Sequence, residues 1–189
     1  MKYMQNRETK MIREKIDVMN YANDIVKAFR SGVLLTTKTD EKVNTMVIGW
    51  GGIGVNWGKT VFSAYVREHR FTRGQLDKNP EFTISVPIGE YNQKIIAVCG
   101  GKSGRDIDKV IESGMTLVDP EVISVPAVKE FPLTLECRVM YSQKQDLTAL
   151  SAEINEHMYP KDVPGTDVKA NRDAHITYFG EIVDAYILK

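Results

Sequence analysis

The chain has 189 residues, 42% of them apolar and 26% charged. That suits one globular domain, or one domain with an added lobe, and excludes disordered, collagenous and disulfide-rich polypeptides. Its 25 basic and 25 acidic side chains cancel, so no overall field draws it to nucleic acid or an anionic membrane, and any anion site has to be local.

Met1 to Lys15 is mixed in charge and lacks the apolar stretch of a secretory signal. No run approaches the roughly 18 apolar residues of a membrane-spanning helix. Cys99 and Cys137 have neither paired nor metal-ligand spacing, so reduced thiols of a cytoplasmic protein are expected.

After Asn20, a candidate N-cap, Tyr21, Ile25 and Phe29 recur every fourth residue and Gly32 follows, which predicts a short amphipathic helix. Val33–Thr39 and Lys42–Gly49, rich in β-branched residues, predict a hairpin about Thr39-Asp40-Glu41. Four glycines within Trp50–Gly58 predict a loop. Strands are expected over Thr60–Val66 and Phe82–Pro87, with a helix over Thr72–Asn79 stopped by Pro80. Short helices are expected over Glu90–Cys99 and Arg105–Glu112, parted by the glycine-bearing Gly100–Gly104.

Leu133 to Tyr141 alternates apolar and polar residues strictly, predicting a strand with one buried face. Leu147, Leu150, Ile154 and Met158 share a helical face, whereas Tyr159–Asn171, with two prolines and a glycine, reads as a mobile loop. Ala174–Leu188 reads as a strand with Gly180 at a bulge. Many short strands with few helices, and no regular alternation of the two, indicate a β-dominated α+β class built on an antiparallel barrel.

The densest chemical signal is Arg67-Glu68-His69-Arg70-Phe71-Thr72-Arg73, where guanidinium groups, an imidazole and a hydroxyl precede a predicted helix. Arginine forks match phosphate oxygens, and free N–H groups at a helix start favour an anion; a solvated charged turn is the competing reading. In Cys99–Asp106 the glycines permit backbone nests, and Lys102, Ser103 and Arg105 supply donors, against a plain helix-breaking loop. Asn44–Trp50 is a strand whose hydroxyl and backbone groups are able to line a planar ring near the glycine-rich loop, or an ordinary strand. Trp50 and Trp57 suit stacking or simple packing. His157 and His175 lack metal-ligand spacing, and no metal is expected.

Taken in order, Asn44-Thr45-Met46 through Gly49-Trp50, Val66 through Thr72, Cys99-Gly100 and Ser103-Gly104-Arg105-Asp106 closely resemble the flavin-reductase-like, flavoredoxin-type FMN-binding split-barrel family. The closing Tyr178–Ala185 resembles it too, and the likeness runs from about Asp17 to Lys189. It implies a single domain over 17–189 behind an N-terminal arm of 1–16, a Greek-key split barrel, and a homodimer with FMN near the subunit interface.

By that resemblance Thr45, Met46, Val47 and Ile48 flank the isoalloxazine, and Ala64, Tyr65, Val66 and Arg67 offer further contacts. Arg70 and Thr72 take the phosphate, while Cys99, Lys102 and Ser103 close the pocket. His69 stands where related sequences often carry a small hydroxyl residue. The implied function is oxidoreductase chemistry through FMN, with NAD(P)H or a redox protein as donor and with no acid, base or nucleophile required of the chain. A non-enzymatic FMN-binding electron carrier fits the same residues, and a cofactor-free dimeric interaction module is the third reading.

Overall fold

The run Val33-Leu34-Leu35 has no polar face because its strand is covered on both sides. In the computed structural model, which describes residues 11–40, 42–163 and 172–189, all three side chains are fully buried. Val33 and Leu35 enter the main core with Phe62, Phe82, Ile84 and Leu135. Leu34 packs the other way, against Ile95, Cys99 and Phe131.

The elements are β1 (Arg13–Lys15), α1 (Ala22–Ala28), β2 (Val33–Lys38), β3 (Val43–Ile48), β4 (Gly51–Asn56) and β5 (Lys59–Arg67). Then come α2 (Phe71–Lys78), β6 (Glu81–Val86), α3 (Gln93–Gly101), α4 (Lys109–Ser113), β7 (Leu117–Val118) and β8 (Ala127–Val128). The chain closes with β9 (Leu133–Lys144), α5 (Ala152–Met158) and β10 (His175–Leu188).

The main sheet runs β3-β2-β6-β9-β10-β5-β4, every ladder antiparallel. Its two end strands, β3 and β4, are joined only by Gly49-Trp50. Three Cα steps span at most about 11 Å, so the sheet curls until its edges meet, without a ladder between them: a split barrel. β10 holds it together. Residues 175–181 pair with β5 and residues 186–188 with β1, so Arg13–Lys15, within the expected arm, extends the sheet.

A bulge lies at Phe179/Gly180, as expected, and a Cβ on Gly180 would come within 2.7 Å of the Phe82 ring. Gly32, with φ of 94°, ends the first helix as expected. The helix itself starts later. Asp17 rather than Asn20 is the cap, accepting from Met19 N ahead of a 3-10 turn over Val18–Tyr21.

Residues 50–58 are not a loop. They form β4 and a two-residue turn at Trp57-Gly58, both with positive φ (52° and 72°), as a type I′ hairpin requires. The glycines serve close approach: a Cβ on Gly51 would sit 2.6 Å from Phe29 Cζ and 2.9 Å from the Ser63 carbonyl.

β9 departs from one-sided burial over its first half, where Thr134 and Glu136 are as buried as their apolar neighbours. The segment 115–131 lies over them, and the polar side chains anchor its backbone. Glu136 accepts from the amides of Glu121, Val122 and Ile123 at 2.7, 2.8 and 3.1 Å. Thr83 donates to Val125 O, and Ser85 accepts from Val128 N.

α3 starts at Gln93, capped by Asn92, and runs on through Gly100-Gly101. α4 starts only at Lys109, capped by Asp108. The stretch 147–158 is a 3-10 turn followed by α5, with Ser151 capping the latter. Of the expected loop 159–171, residues 164–171 lie outside the described residues. No helix among the described residues is long and apolar enough to cross a membrane.

Candidate cofactor site

Three segments far apart in sequence close one cavity of about 410 Å³. β3 supplies Asn44, Met46 and Val47; the turn into α2 supplies His69, Arg70, Phe71 and Thr72; the end of α3 and the approach to α4 supply Cys99, Gly100, Lys102–Asp106 and Lys109. β3 is an edge strand, paired among the described residues with β2 alone. Its Thr45 carbonyl points to the free edge and accepts from Lys109 Nζ at 3.0 Å. Antiparallel alternation turns the Thr45 N–H and both backbone groups of Val47 to that same edge.

The start of α2 carries no side-chain cap, so its first N–H groups keep their affinity for an anion. Thr72, buried in its first turn, accepts from Asn44 Nδ2 at 2.9 Å, which leaves the hydroxyl proton for another acceptor. Asn44 is itself buried, and its Oδ1 has no hydrogen-bond partner among the described residues.

The loop across the cavity is held from behind. Lys42 Nζ donates to the carbonyls of Gly104 and Ile107 at 2.5 and 2.8 Å, and Ser103 Oγ accepts from Arg105 N. A Cβ on Gly104 would lie 2.1 Å from Asn44 Oδ1; only glycine lets loop and strand approach this closely.

Lys109 is almost wholly buried, with Nζ donating to the Thr45 and Cys99 carbonyls. Burial pulls its pKa down to about 8; Cys99 opposes that shift, and the positive Arg70 and Lys42 add to it. An ammonium has three hydrogens, so one remains beyond those two carbonyls. The Cys99 thiol is pushed up to about 11, mainly by burial, and stays protonated at neutral pH. Lys102 is paired with Glu112 on the surface.

Residues 26–188 match the family described as flavin reductase like domain. The chain belongs to that family. Flavoredoxin of Desulfovibrio vulgaris (Miyazaki F) superposes with a TM-score of 0.60 at 22% identity, covering 82% of this chain and 68% of its own. The FMN-binding protein from Thermus thermophilus gives 0.58 at 18% identity, covering 82% and 69%. At such identities the likeness is one of fold, the split barrel. An uncharacterised protein of Archaeoglobus fulgidus is 29% identical over 100 residues, 53% of this chain, and the match spans about half of that relative, 55% of its length.

Of the residues that the flavin-reductase resemblance singles out, Met46, Val47, Arg70, Thr72, Cys99, Lys102 and Ser103 line the cavity. Thr45 and Ile48 are buried outside its lining, Ile48 in the main core and Thr45 with its hydroxyl 3.0 Å from that of Thr36. Ala64 and Val66 belong to the barrel core, and Tyr65 faces His175. Arg67 turns away and donates to the carbonyls of Asp173 and Met158. Trp50 packs on His175 and Tyr159, and Trp57 on Tyr141 and Phe179.

Sequence reasoning missed Lys109, and it assigned no contact to Asn44 and Phe71, which lie in segments it singled out. Asn44 shares a strand face with Met46, a signal that period-2 alternation offers. Lys109 follows its helix cap like any surface lysine and gave no signal.

Proposed function

We propose that this chain binds one FMN per subunit in the β3–α2–loop cavity and passes electrons through it between NAD(P)H or a redox protein and an acceptor, as a homodimer. One observation carries the reading: an uncapped helix start with Arg70 and Thr72 shares a single cavity with the open backbone edge of β3. The first suits a phosphate and the second the polar edge of a flat heterocycle. The volume of about 410 Å³ lies in the range of small-molecule pockets.

In this reading Arg70, Thr72 and Ser103 hold the phosphate, with Lys102 and Arg105 beside it. Met46, Val47 and Cys99 give apolar contact to the ring, and Asn44, Lys109 and the Val47 backbone meet its heteroatoms. FMN, when bound, supplies reversible one- and two-electron transfer. The chain supplies position and field: below about pH 8 the Lys109 ammonium keeps a positive charge inside the cavity, which favours a ligand that gains negative charge. For the dimer, the surface offers an aromatic patch of Trp57, Tyr141 and Phe179 beside exposed Val55.

Purified protein is expected to be yellow and to release one FMN per chain on denaturation; colourless protein that takes up no added FMN overturns the proposal. Arg70→Ala with Thr72→Ala is expected to weaken FMN binding by about 100-fold or more and to leave riboflavin binding nearly unchanged. Anaerobic mixing with NADH and NADPH separates a reductase, whose flavin bleaches rapidly, from a carrier, whose flavin does not.

A further inference from the structure

We propose that Lys42, outside the cavity lining, is a positioning residue for its phosphate end, holding the peptide that aims the Ser103 hydroxyl at the anion. The inference rests on the FMN reading above and deepens it by naming what presets one wall of that site.

Lys42 sits where the β2–β3 hairpin turns back and reaches across 62 residues of sequence to the loop ahead of α4. Its Nζ donates to the carbonyls of Gly104 and Ile107 at 2.5 and 2.8 Å. In a planar trans peptide the N–H points opposite to the C=O. With the Gly104 carbonyl turned to Lys42, the N–H of the same peptide, that of Arg105, points the other way and donates to Ser103 Oγ at 3.2 Å. A hydroxyl that accepts this bond has its own proton left to donate, and Ser103 lines the cavity. Lys42 thereby sets an atom that it does not touch.

The other end of Lys42 is anchored on the opposite half of the phosphate grip. Its carbonyl accepts from Gln75 Nε2 at 2.8 Å, and Gln75, buried in α2, takes the Thr37 hydroxyl on Oε1 at 2.5 Å. α2 is the helix whose start brings Arg70, Phe71 and Thr72 to the cavity. Phe71 adds to the tie, since Lys42 Nζ and the Arg105 guanidinium lie 5.7 and 5.8 Å from its ring centroid. Lys42 thus holds helix start and loop at one spacing before any ligand arrives, and a loop already ordered in its bound shape spares the ligand that cost.

The test is calorimetric titration of the full chain with FMN and with riboflavin, which lacks the phosphate. Lys42→Met keeps the aliphatic stem and removes the donors; it should weaken FMN about tenfold and riboflavin less than about twofold. The phosphorus NMR resonance of bound FMN should move in this variant, as it should in Ser103→Ala. In a Ser103→Ala background Lys42→Met should cost at most about threefold, because the hydroxyl it aims is gone; a distant charge acting alone would keep its full effect there. Lys42→Gln, neutral and one atom shorter, should give the same readings and serves where Lys42→Met folds poorly. Equal losses for FMN and riboflavin, a tenfold loss undiminished by Ser103→Ala, an unmoved phosphorus resonance, or no loss at all overturns the inference and leaves FMN binding standing. Failure of the wild type to bind FMN overturns both.

Discussion

Gly104→Ala tests the packing on which the cavity depends. The new Cβ would lie 2.1 Å from Asn44 Oδ1 and 2.9 Å from Phe71 Cδ1, against the 3.0 Å that real Cβ atoms essentially never undercut. Asn44 has little room to yield, being buried and donating to Thr72, and the loop is tied down by Lys42. Overpacking of this kind costs about 1–3 kcal/mol, which corresponds to about 5- to 150-fold in affinity if the loop shifts and carries Ser103 and Arg105 with it. Where the loop holds instead, the strain appears as a melting temperature lower by about 2–12 °C. Paired FMN titrations and thermal melts separate the two. The decisive arm is the double-mutant cycle with Asn44→Ala, which removes the nearer clash, so Gly104→Ala should cost at most half as much in that background. Additive effects of the two substitutions on both affinity and melting temperature would refute the reasoning.

Three further outcomes follow from the same geometry. Affinity for FMN should fall as pH rises through about 8, because an amine whose pKa burial has lowered loses its charge there; Lys109→Met should bind more weakly at pH 7 and lose that fall, as read by fluorescence titration. Glu136→Gln should destabilise the fold by about 2–4 kcal/mol in urea unfolding, since a charged acceptor of three amides and the Tyr186 hydroxyl becomes a neutral amide with a single acceptor oxygen; a loss below about 0.5 kcal/mol contradicts the anchoring role. Cys99 and Cys137, both buried and with thiols shifted upward by that burial, should resist iodoacetamide at pH 7.5 until urea exposes them, with mass spectrometry counting the adducts.

What the sequence made legible is what local rules govern. The β2–β3 hairpin, the bulge at Gly180 and the glycine stop at Gly32 each follow from residues within a turn of one another. Glycine misled at β4 because it has two uses, turning a chain and letting another chain come close, and only the position of Phe29 shows that Gly51 has the second. The start of α4 was misplaced for a similar reason. Ser103 and Asp108 are both capping residues, and Lys42, remote in sequence, takes the carbonyls of Gly104 and Ile107 and holds the intervening segment out of the helix.

At β3 the sequence pointed to a hydroxyl and to backbone groups, and of these the structure leaves the backbone edge open among the described residues. Arg70, Thr72 and Ser103, which the structure brings to one cavity, stood out in the sequence because an anion needs donors clustered in short turns. Arg67, from the same basic turn, ends β5, paired with His175, and that register turns its guanidinium toward Met158 and Asp173. Thr45 and Ile48, expected to flank the ring, have buried side chains. What that strand offers is its unpaired edge, and which strand ends at an edge is set by the order of the whole sheet, which no local pattern encodes. The Lys109 amine caps the Thr45 carbonyl on that edge, so a surface-like lysine remote from β3 fixes the polarity of the groups the strand presents. It follows that Thr45→Val, which removes the hydroxyl contact with Thr36 but keeps the carbonyl, leaves the cavity-lining edge of β3 intact.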